Sequence, residues 1–519
     1  MRYFNIAGPC NREKHYMIEA SSRLHGVDRL IDMEQYFVIH AARQSGKTTY
    51  LRDLEQRLST SGRCYALYCS LETAQGVTDP GHGIPVVFDC ITLALQRSTI
   101  PFVYDERYEK EKATRPLVAL NIFLTDLCKS LDKPLVILFD EVDCLSGDAL
   151  ISFLRQLRMG YNERSTSPFV RSIALVGMRS IRDYKANIRP ESESLGSASP
   201  FNIVTESLTL ENFTELEISS LYRQHTDETG QIFEESSVAL IYQQTRGQPW
   251  LVNAIAREVI VETLQSDYTK PVTVDLVEAA IQTIILRRDT HIDSLLERLK
   301  EARVRKVIEP IIMGEDVLDR LSDDFQYVQD LGLISDAGGR LAPANPIYAE
   351  VIARTLTYTA QRILTENNDI YQMPCYIRDG RIDMDVLMRD FQRFWRENSD
   401  IWTKRFDYDE AAPHLILMAF LQRVINGGGQ IIREMAAGRG RLDLCVVYEG
   451  AKYPLELKLW RGEKSRTQGI EQTLRYMDTC GTTEGWLAIF NRSASAAWDD
   501  KIYTEKEIVD GKTVTIVGL

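Results

Sequence analysis

An apolar run, EQYFVIHA at 34–41, passes without a break into ARQSGKTT at 42–49 and then into the helical pattern YLRDLEQRL at 50–58. That order of strand, loop and helix constrains the fold more than any other feature, because it calls for a parallel sheet whose strands are joined by crossover helices. Measured against the pattern G-x-x-x-x-G-K-[ST], residues 41–48 fit everywhere except the first position, where Ala41 replaces Gly. Such a loop works by aiming successive backbone N–H groups at phosphate oxygens, which survives the change if Ala41 holds the turn. Lys47 is then expected to neutralise β/γ-phosphates and Thr48 to ligate Mg²⁺, while Arg43, Gln44, Ser45, Gly46 and Thr49 supply the other nucleotide contacts. A chance GKT triplet is the alternative, and the flanking strand and helix argue against it.

A second apolar run, PLVILF at 134–139, ends in Asp140-Glu141. A buried parallel strand delivers acids in this way to the carboxyl edge of a sheet, where α/β ligands bind. Asp140 is expected to hold Mg²⁺ through water, and Glu141 to orient or deprotonate the attacking water. The competing reading is that both acids only cap the next helix. Runs at 172–177 and 63–70 read as further strands of an α/β sheet. Arg179 and Ser180, just past the first of these, are candidates for sensing a γ-phosphate.

The chain has 519 residues, more than one core normally organises, so several domains are expected. Its net charge of −13 argues against a protein that coats nucleic acid, so any such contact must be local. Nine cysteines form no C-x-x-C pair, which points to reduced thiols and no zinc. The start of the chain carries no leader pattern, and no apolar run reaches membrane-spanning length, so a cytoplasmic protein without a membrane partner is expected.

The expected boundaries are a P-loop core at 1–205, a helical lid at 206–292, a winged helix at 293–357, a helical connector at 358–405 and a last α/β domain at 406–519. In the lid, Gly247-Gln248-Pro249 opens a helix. In the winged helix, residues 331–341 read as a strand–turn–strand wing with Gly338-Gly339 at its tip. The segment 322–330 carries three acids and no base, so it is read as a packing or oligomerisation element rather than a DNA reader. Asn367-Asn368-Asp369 and Asp379-Gly380 mark the connector's turns.

The last domain holds a second constellation. An apolar helix at 412–426 precedes strand candidates at 430–434, 442–448 and 453–459. Asp443 lies on the second, and Glu456 and Lys458, two apart, share one face of the third. Two carboxylates facing a Lys can hold Mg²⁺ while the Lys steers water or the charge of a phosphorane. A solvated surface hairpin would show the same spacing, but the apolar neighbours Val446, Val447, Leu455, Leu457 and Leu459 place these charges in a partly buried sheet. Arg433, Arg439, Arg441, Lys452, Arg461, Lys464 and Arg466 form a basic group around them, suited to nucleic acid. Gln472 and Tyr476 share one face of the following helix; Gln472 is either a scissile-phosphate or metal-water contact or an ordinary helix Gln. Glu410 is a candidate third acid.

With ARQSGKTT, LVILFDEVD, the Gly247–Pro249 turn, Asn345–Tyr348 and the block from 410 to 460 taken together, the chain resembles bacterial AAA-like, STAND-type P-loop ATPases fused to a C-terminal PD-(D/E)XK nuclease-superfamily domain. The resemblance implies ATP and Mg²⁺ as cofactors and NTP-controlled oligomerisation or opening. It also implies an effector nuclease acting on double-stranded DNA in defence, with further copies of the chain or a trigger protein as partner. Two departures stand out: Ala41 at the first loop position, and Leu442 where the nuclease pattern has Pro.

Overall fold

The structure, a computed structural model, describes residues 1–19, 23–177, 204–287, 290–312, 319–337, 340–352, 354–356, 376–403, 416–418, 420–421, 429–435, 442–491, 493 and 496–519. Contacts divide the chain into two compact units. The first comprises Met1–Asp293, Arg320–Leu333 and Asn345–Ile347, and the second comprises Ser294–Asp319, Ile334–Ala344 and Tyr348–Leu519.

The first unit is built on five parallel strands, β1 (Tyr36–His40), β2 (Tyr65–Ser70), β3 (Leu135–Asp140), β4 (Ser172–Gly177) and β5 (Val204–Thr209), in the order β2-β3-β4-β1-β5. Period-2 alternation sends neighbouring strand residues to opposite faces. Tyr36, Val38, Ile137, Phe139, Ile173 and Leu175 pack on one side, against α3 (Pro80–Gln96), α5 (Pro116–Ser130) and α6 (Gly147–Glu163). Phe37, Ile39, Val136, Leu138, Ala174 and Val176 pack on the other, against α1 (Val27–Asp32) and α2 (Lys47–Ser61). A short helix, α4 (Arg107–Thr114), precedes α5. Both faces are therefore covered, and each fully buried Phe or Leu contributes roughly 1.5–3 kcal/mol.

The strands expected from the sequence lie where the runs indicated, with one correction. Residues 204–209, where the helical lid was expected to begin, form β5 and pair with β1. The helical part starts at the capping box of Thr214 and Glu217, which opens α7 (Glu215–Thr229). It continues through α8 (Glu235–Thr245), α9 (Pro249–Arg257), a π-helical turn at Glu258–Thr263 and α10 (Val274–Arg287). Gln248 caps α9, its side chain accepting from the Leu251 N–H at 2.7 Å, with Pro249 at the first helical position as anticipated.

His291, at the start of α11 (Thr290–Arg298), stacks on Trp250 with ring centroids 4.8 Å apart. It is 5% exposed, and burial, reinforced by the charge of Arg43, pushes its pKa down to about 3. A histidine held neutral this way stabilises the fold fully only above its unfolded pKa of about 6.5, and the contribution is lost as pH falls toward 3. Lowering the pH from 7.5 to 5 should therefore cost about 2 kcal/mol through this one residue. Urea midpoints at the two pH values check this: the loss should shrink by that amount in His291→Phe, and an unchanged slope would remove the assignment.

Helices α12 (Ala302–Ile312) and α13 (Asp323–Asp330) are followed by the hairpin of β6 (Ile334–Ala337) and β7 (Arg340–Pro343). Gly338-Gly339, the expected tip of the wing, lies outside the described residues. In the second unit, Asp379-Gly380 is the two-residue turn, with positive φ at both positions, of a small hairpin between β8 (Ile377–Arg378) and β9 (Arg381–Ile382). Helix α14 (Met384–Thr403) follows.

A six-stranded mixed sheet forms the rest of this unit. Its strands are β10 (Gly429–Met435), β11 (Leu442–Tyr448), β12 (Ala451–Leu459), β13 (Glu484–Phe490), β14 (Thr504–Val509) and β15 (Lys512–Gly518), in the order β10-β11-β12-β13-β15-β14. Between β12 and β13 runs α15 (Glu463–Cys480), packed on both. Most of the expected helix at 412–426, with Glu410 and Asn367–Asp369, lies outside the described residues. Among the described residues no helix is long and apolar enough to cross a membrane.

Candidate functional site

In the first unit the chain leaves β1 at Ala41, which is buried and donates its N–H to the Gly177 carbonyl at 3.4 Å. Gln44 and Gly46 both adopt left-handed backbone conformations, with φ of 58° and 93°. Alternating handedness along a loop turns successive N–H groups toward one concavity, the geometry that takes up an anion. Helix α2 starts at Lys47 and adds its N-terminal dipole. Lys47 Nζ bends back over the loop, donating to the carbonyls of Ala41 at 2.7 Å and Ala42 at 2.8 Å. Burial lowers its pKa to about 8, against the opposing pull of Asp143, Asp140 and Glu141.

The acids at the end of β3 meet this loop. Thr48 Oγ1 donates to Asp140 Oδ2 at 2.7 Å, and the Tyr68 hydroxyl donates to the same oxygen at 3.0 Å. Asp140 is buried, and its other oxygen accepts the Glu141 N–H at 3.0 Å. A hydroxyl and a carboxylate in contact form an oxygen-only donor set, the chemistry a hard cation such as Mg²⁺ accepts. Glu141 occupies a left-handed conformation, φ 56°, rare for a residue with a side chain and characteristic of functional positions. Its Oε2 is buried with no hydrogen-bond partner among the described residues. Burial raises its pKa, and Asp140, Glu72 and Asp143 raise it further while Lys47 opposes. A carboxylate with this character is placed to accept a proton.

The loop residues Ser45 and Thr49 are thus gathered with Lys47, Thr48, Asp140 and Glu141 in one place. Thr49 faces the other way in part, since its Oγ1 accepts the Cys10 N–H at 3.0 Å. Arg43 is exposed. Arg179 and Ser180 lie outside the described residues. Two residues that sequence reading missed also reach the loop. Arg23, 7% exposed, donates to the Ser45 carbonyl at 2.8 Å, and Gln248 donates to the Gln44 carbonyl at 3.4 Å. Nothing in a single sequence distinguishes Arg23 from a surface arginine; Gln248 was visible only as part of a turn.

In the second unit, Glu449 and Gly450, both at positive φ, form a two-residue turn that pairs Tyr448 with Ala451. Such a turn fixes register, and that register carries Asp443 one step beyond the paired Leu444 and Leu455, level with Glu456. Asp443's own side chain lies outside what the structure describes. Glu456 and Lys458 are 1% and 0% exposed, more deeply buried than the partly covered sheet expected. They form an ion pair. Gly469 of α15 lies over them: a Cβ there would come within 3.2 Å of Lys458 Cγ. Gln472 is three residues further on, hence on the same helix face, and its Oε1 is buried with no hydrogen-bond partner among the described residues. Tyr476 is buried one turn beyond.

The basic group is partly spoken for. Arg466 pairs with Glu505 and Glu507 at 2.8 and 3.5 Å. Lys452, Arg461 and Lys464 lie at the exposed surface. The side chains of Arg433, Arg439 and Arg441 lie outside the described residues. Among the described residues, no three His, Cys, Asp or Glu side chains gather as a metal cage.

The pattern of the family described as AAA-like domain matches residues 16–354, which contain the phosphate loop, the acidic strand and the helical part. No curated protein matches the chain by sequence. Among solved structures, the Walker-type ATPase PABY2304 of Pyrococcus abyssi is similar at 14% identity over 67% of this chain and 99% of its own, with a TM-score of 0.48. The Cdc6p protein of Pyrobaculum aerophilum is similar at 14% identity over 62% of this chain and 88% of its own, with a TM-score of 0.35. The RuvB Holliday junction branch migration motor of Thermotoga maritima is similar at 13% identity over 64% of this chain and 92% of its own, with a TM-score of 0.33.

Proposed function

Because this chain belongs to the AAA-like domain family, we propose that it binds and hydrolyses ATP with Mg²⁺ at the loop after β1, and that this switch, of STAND type, governs a Mg²⁺-dependent DNA endonuclease of PD-(D/E)XK type formed by the C-terminal sheet. In the first site Lys47 holds the β/γ-phosphates, Thr48 and Asp140 hold the metal, and Glu141 activates water. In the second, Asp443 and Glu456 hold Mg²⁺, Lys458 steers water or stabilises the phosphorane, and Gln472 contacts the scissile phosphate or metal water. The observation that carries the nuclease reading is the ion pair of Glu456 and Lys458 buried within a sheet and roofed by α15. Charge is rarely kept in such a place without a task.

Exposed Lys452, Arg461 and Lys464 beside that sheet suit a local contact with double-stranded DNA in a chain otherwise acidic. Action against phage or other foreign DNA, in an oligomer or with a trigger protein, is the biology that follows. The acidic α13 fits a packing element of a winged helix better than a DNA reader.

Plasmid cleavage with Mg²⁺, with and without ATP, tests the reading. Cleavage should vanish in Asp443→Ala and change its ATP dependence in Lys47→Ala. If ATP is hydrolysed and no condition gives cleavage, the chain is a non-cleaving ATPase switch whose C-terminal fold binds nucleic acid or a protein.

A further inference from the structure

We propose that Arg23 and Gln248, both outside the phosphate loop, are positioning residues that set the loop's N–H groups for phosphate by holding two successive carbonyls outward. In a trans peptide the C=O of one residue and the N–H of the next point in opposite directions. Arg23 Nη2 draws the Ser45 carbonyl to one side at 2.8 Å, so the Gly46 N–H is turned to the other. Gln248 Nε2 does the same to the Gln44 carbonyl at a longer 3.4 Å, which turns the Ser45 N–H inward. Gln44 and Gly46, the residues on either side of Ser45, both have left-handed φ values.

The two holders are themselves tied together. Arg23 Nε also donates to the Glu211 carbonyl at 2.9 Å, and its guanidinium lies 4.8 Å from the Phe213 ring centroid. Phe213 in turn donates its N–H to the Gly247 carbonyl at 2.8 Å. Gly247 has φ 73° and no room for a side chain, since a Cβ would sit 1.8 Å from the Phe213 oxygen. A closed ring therefore runs from Ser45 through Arg23, Phe213, Gly247 and Gln248 back to Gln44. Through it the turn that opens α9 acts on the shape of the phosphate nest, and a shift of that turn alters phosphate affinity without touching phosphate.

This inference rests on the loop being a nucleotide site, and the full-length chain tests it with ADP and adenosine, measured by calorimetry and by competition at millimolar adenosine. Arg23→Met keeps the stem and removes both donors. Its ADP affinity should fall about tenfold, the scale of a lost charged hydrogen bond, with adenosine affinity unchanged. Arg23→Lys, with one compact donor, should recover part of the loss. Gln248→Ser keeps a neutral side-chain acceptor able to cap α9 and is too short to reach the Gln44 carbonyl. It should weaken ADP by a smaller factor, with the thermal midpoint of the free protein kept. ADP affinity at the wild-type level in Arg23→Met, or an equal fall for adenosine, overturns the proposal. A wild-type chain that binds no ADP overturns instead the nucleotide reading on which it rests.

Discussion

In Lys47→Ala, steady-state ATP turnover falls by about 100-fold or more, the scale on which a single preorganised charge contributes to a transition state. The expectation comes from where Lys47 stands. Its ammonium is fixed over the loop by two carbonyls and faces Asp140, Glu141 and Asp143 across the site. A charge already in place costs no reorganisation as charge builds on the transferred phosphoryl group. Removing it also leaves the Ala41 and Ala42 carbonyls without this donor, Ala41 in a buried place, so some fold stability should be lost with it. Phosphate release assayed beside thermal unfolding separates the two effects. Turnover within threefold of wild type would show that this lysine does not serve the reaction.

The second large effect falls on stability. Lys458→Met should destabilise the C-terminal unit by roughly 3–5 kcal/mol, because it leaves the Glu456 carboxylate buried without its closest cation. Replacing both, as Glu456→Gln with Lys458→Met, should restore much of that loss, since the desolvation of both charges disappears together. DNA cleavage should be absent from all of these variants, the stable double variant included. Urea midpoints on the single and double variants check this. A Lys458→Met midpoint equal to wild type would mean the pair contributes nothing to the fold.

What could be read from sequence was whatever short-range chemistry dictates. The apolar run into the loop at 41–48, the acids closing β3 and the spacing of Glu456 and Lys458 all act over a few residues, and each sits on the element expected of it. β5 escaped because it is an edge strand with half-covered, alternating residues in VTESLT, a weaker pattern than the continuous runs of β1 and β3. The hairpin of β14 and β15 was not anticipated, although Asp510-Gly511 between two alternating runs is a strong hairpin signal and forms its turn. Arg23 was out of reach for a different reason. Its role depends on Ser45 and Glu211, residues that only the finished fold brings to it. Full burial of Glu456 and Lys458 likewise depends on α15 crossing over them, which no strand pattern encodes.

The strand order of the first unit has a consequence for how the protein comes into being. β1, which feeds the phosphate loop, hydrogen-bonds only to β4 and β5, so Tyr36 waits for Ile173 on one side and Val204 on the other. Pairings so distant along the chain are slow to close, because loop entropy is paid before any contact rewards it. On the ribosome, the segment at 41–48 is made well before the strands that flank β1 and acquires its working shape only after them. A nascent chain released before about residue 210 would carry the whole loop sequence and still lack the neighbours that hold it, leaving apolar β1 open to aggregation. Nucleotide binding thus reports completion of the whole sheet, and ATP supplied during synthesis would favour chains that have reached it.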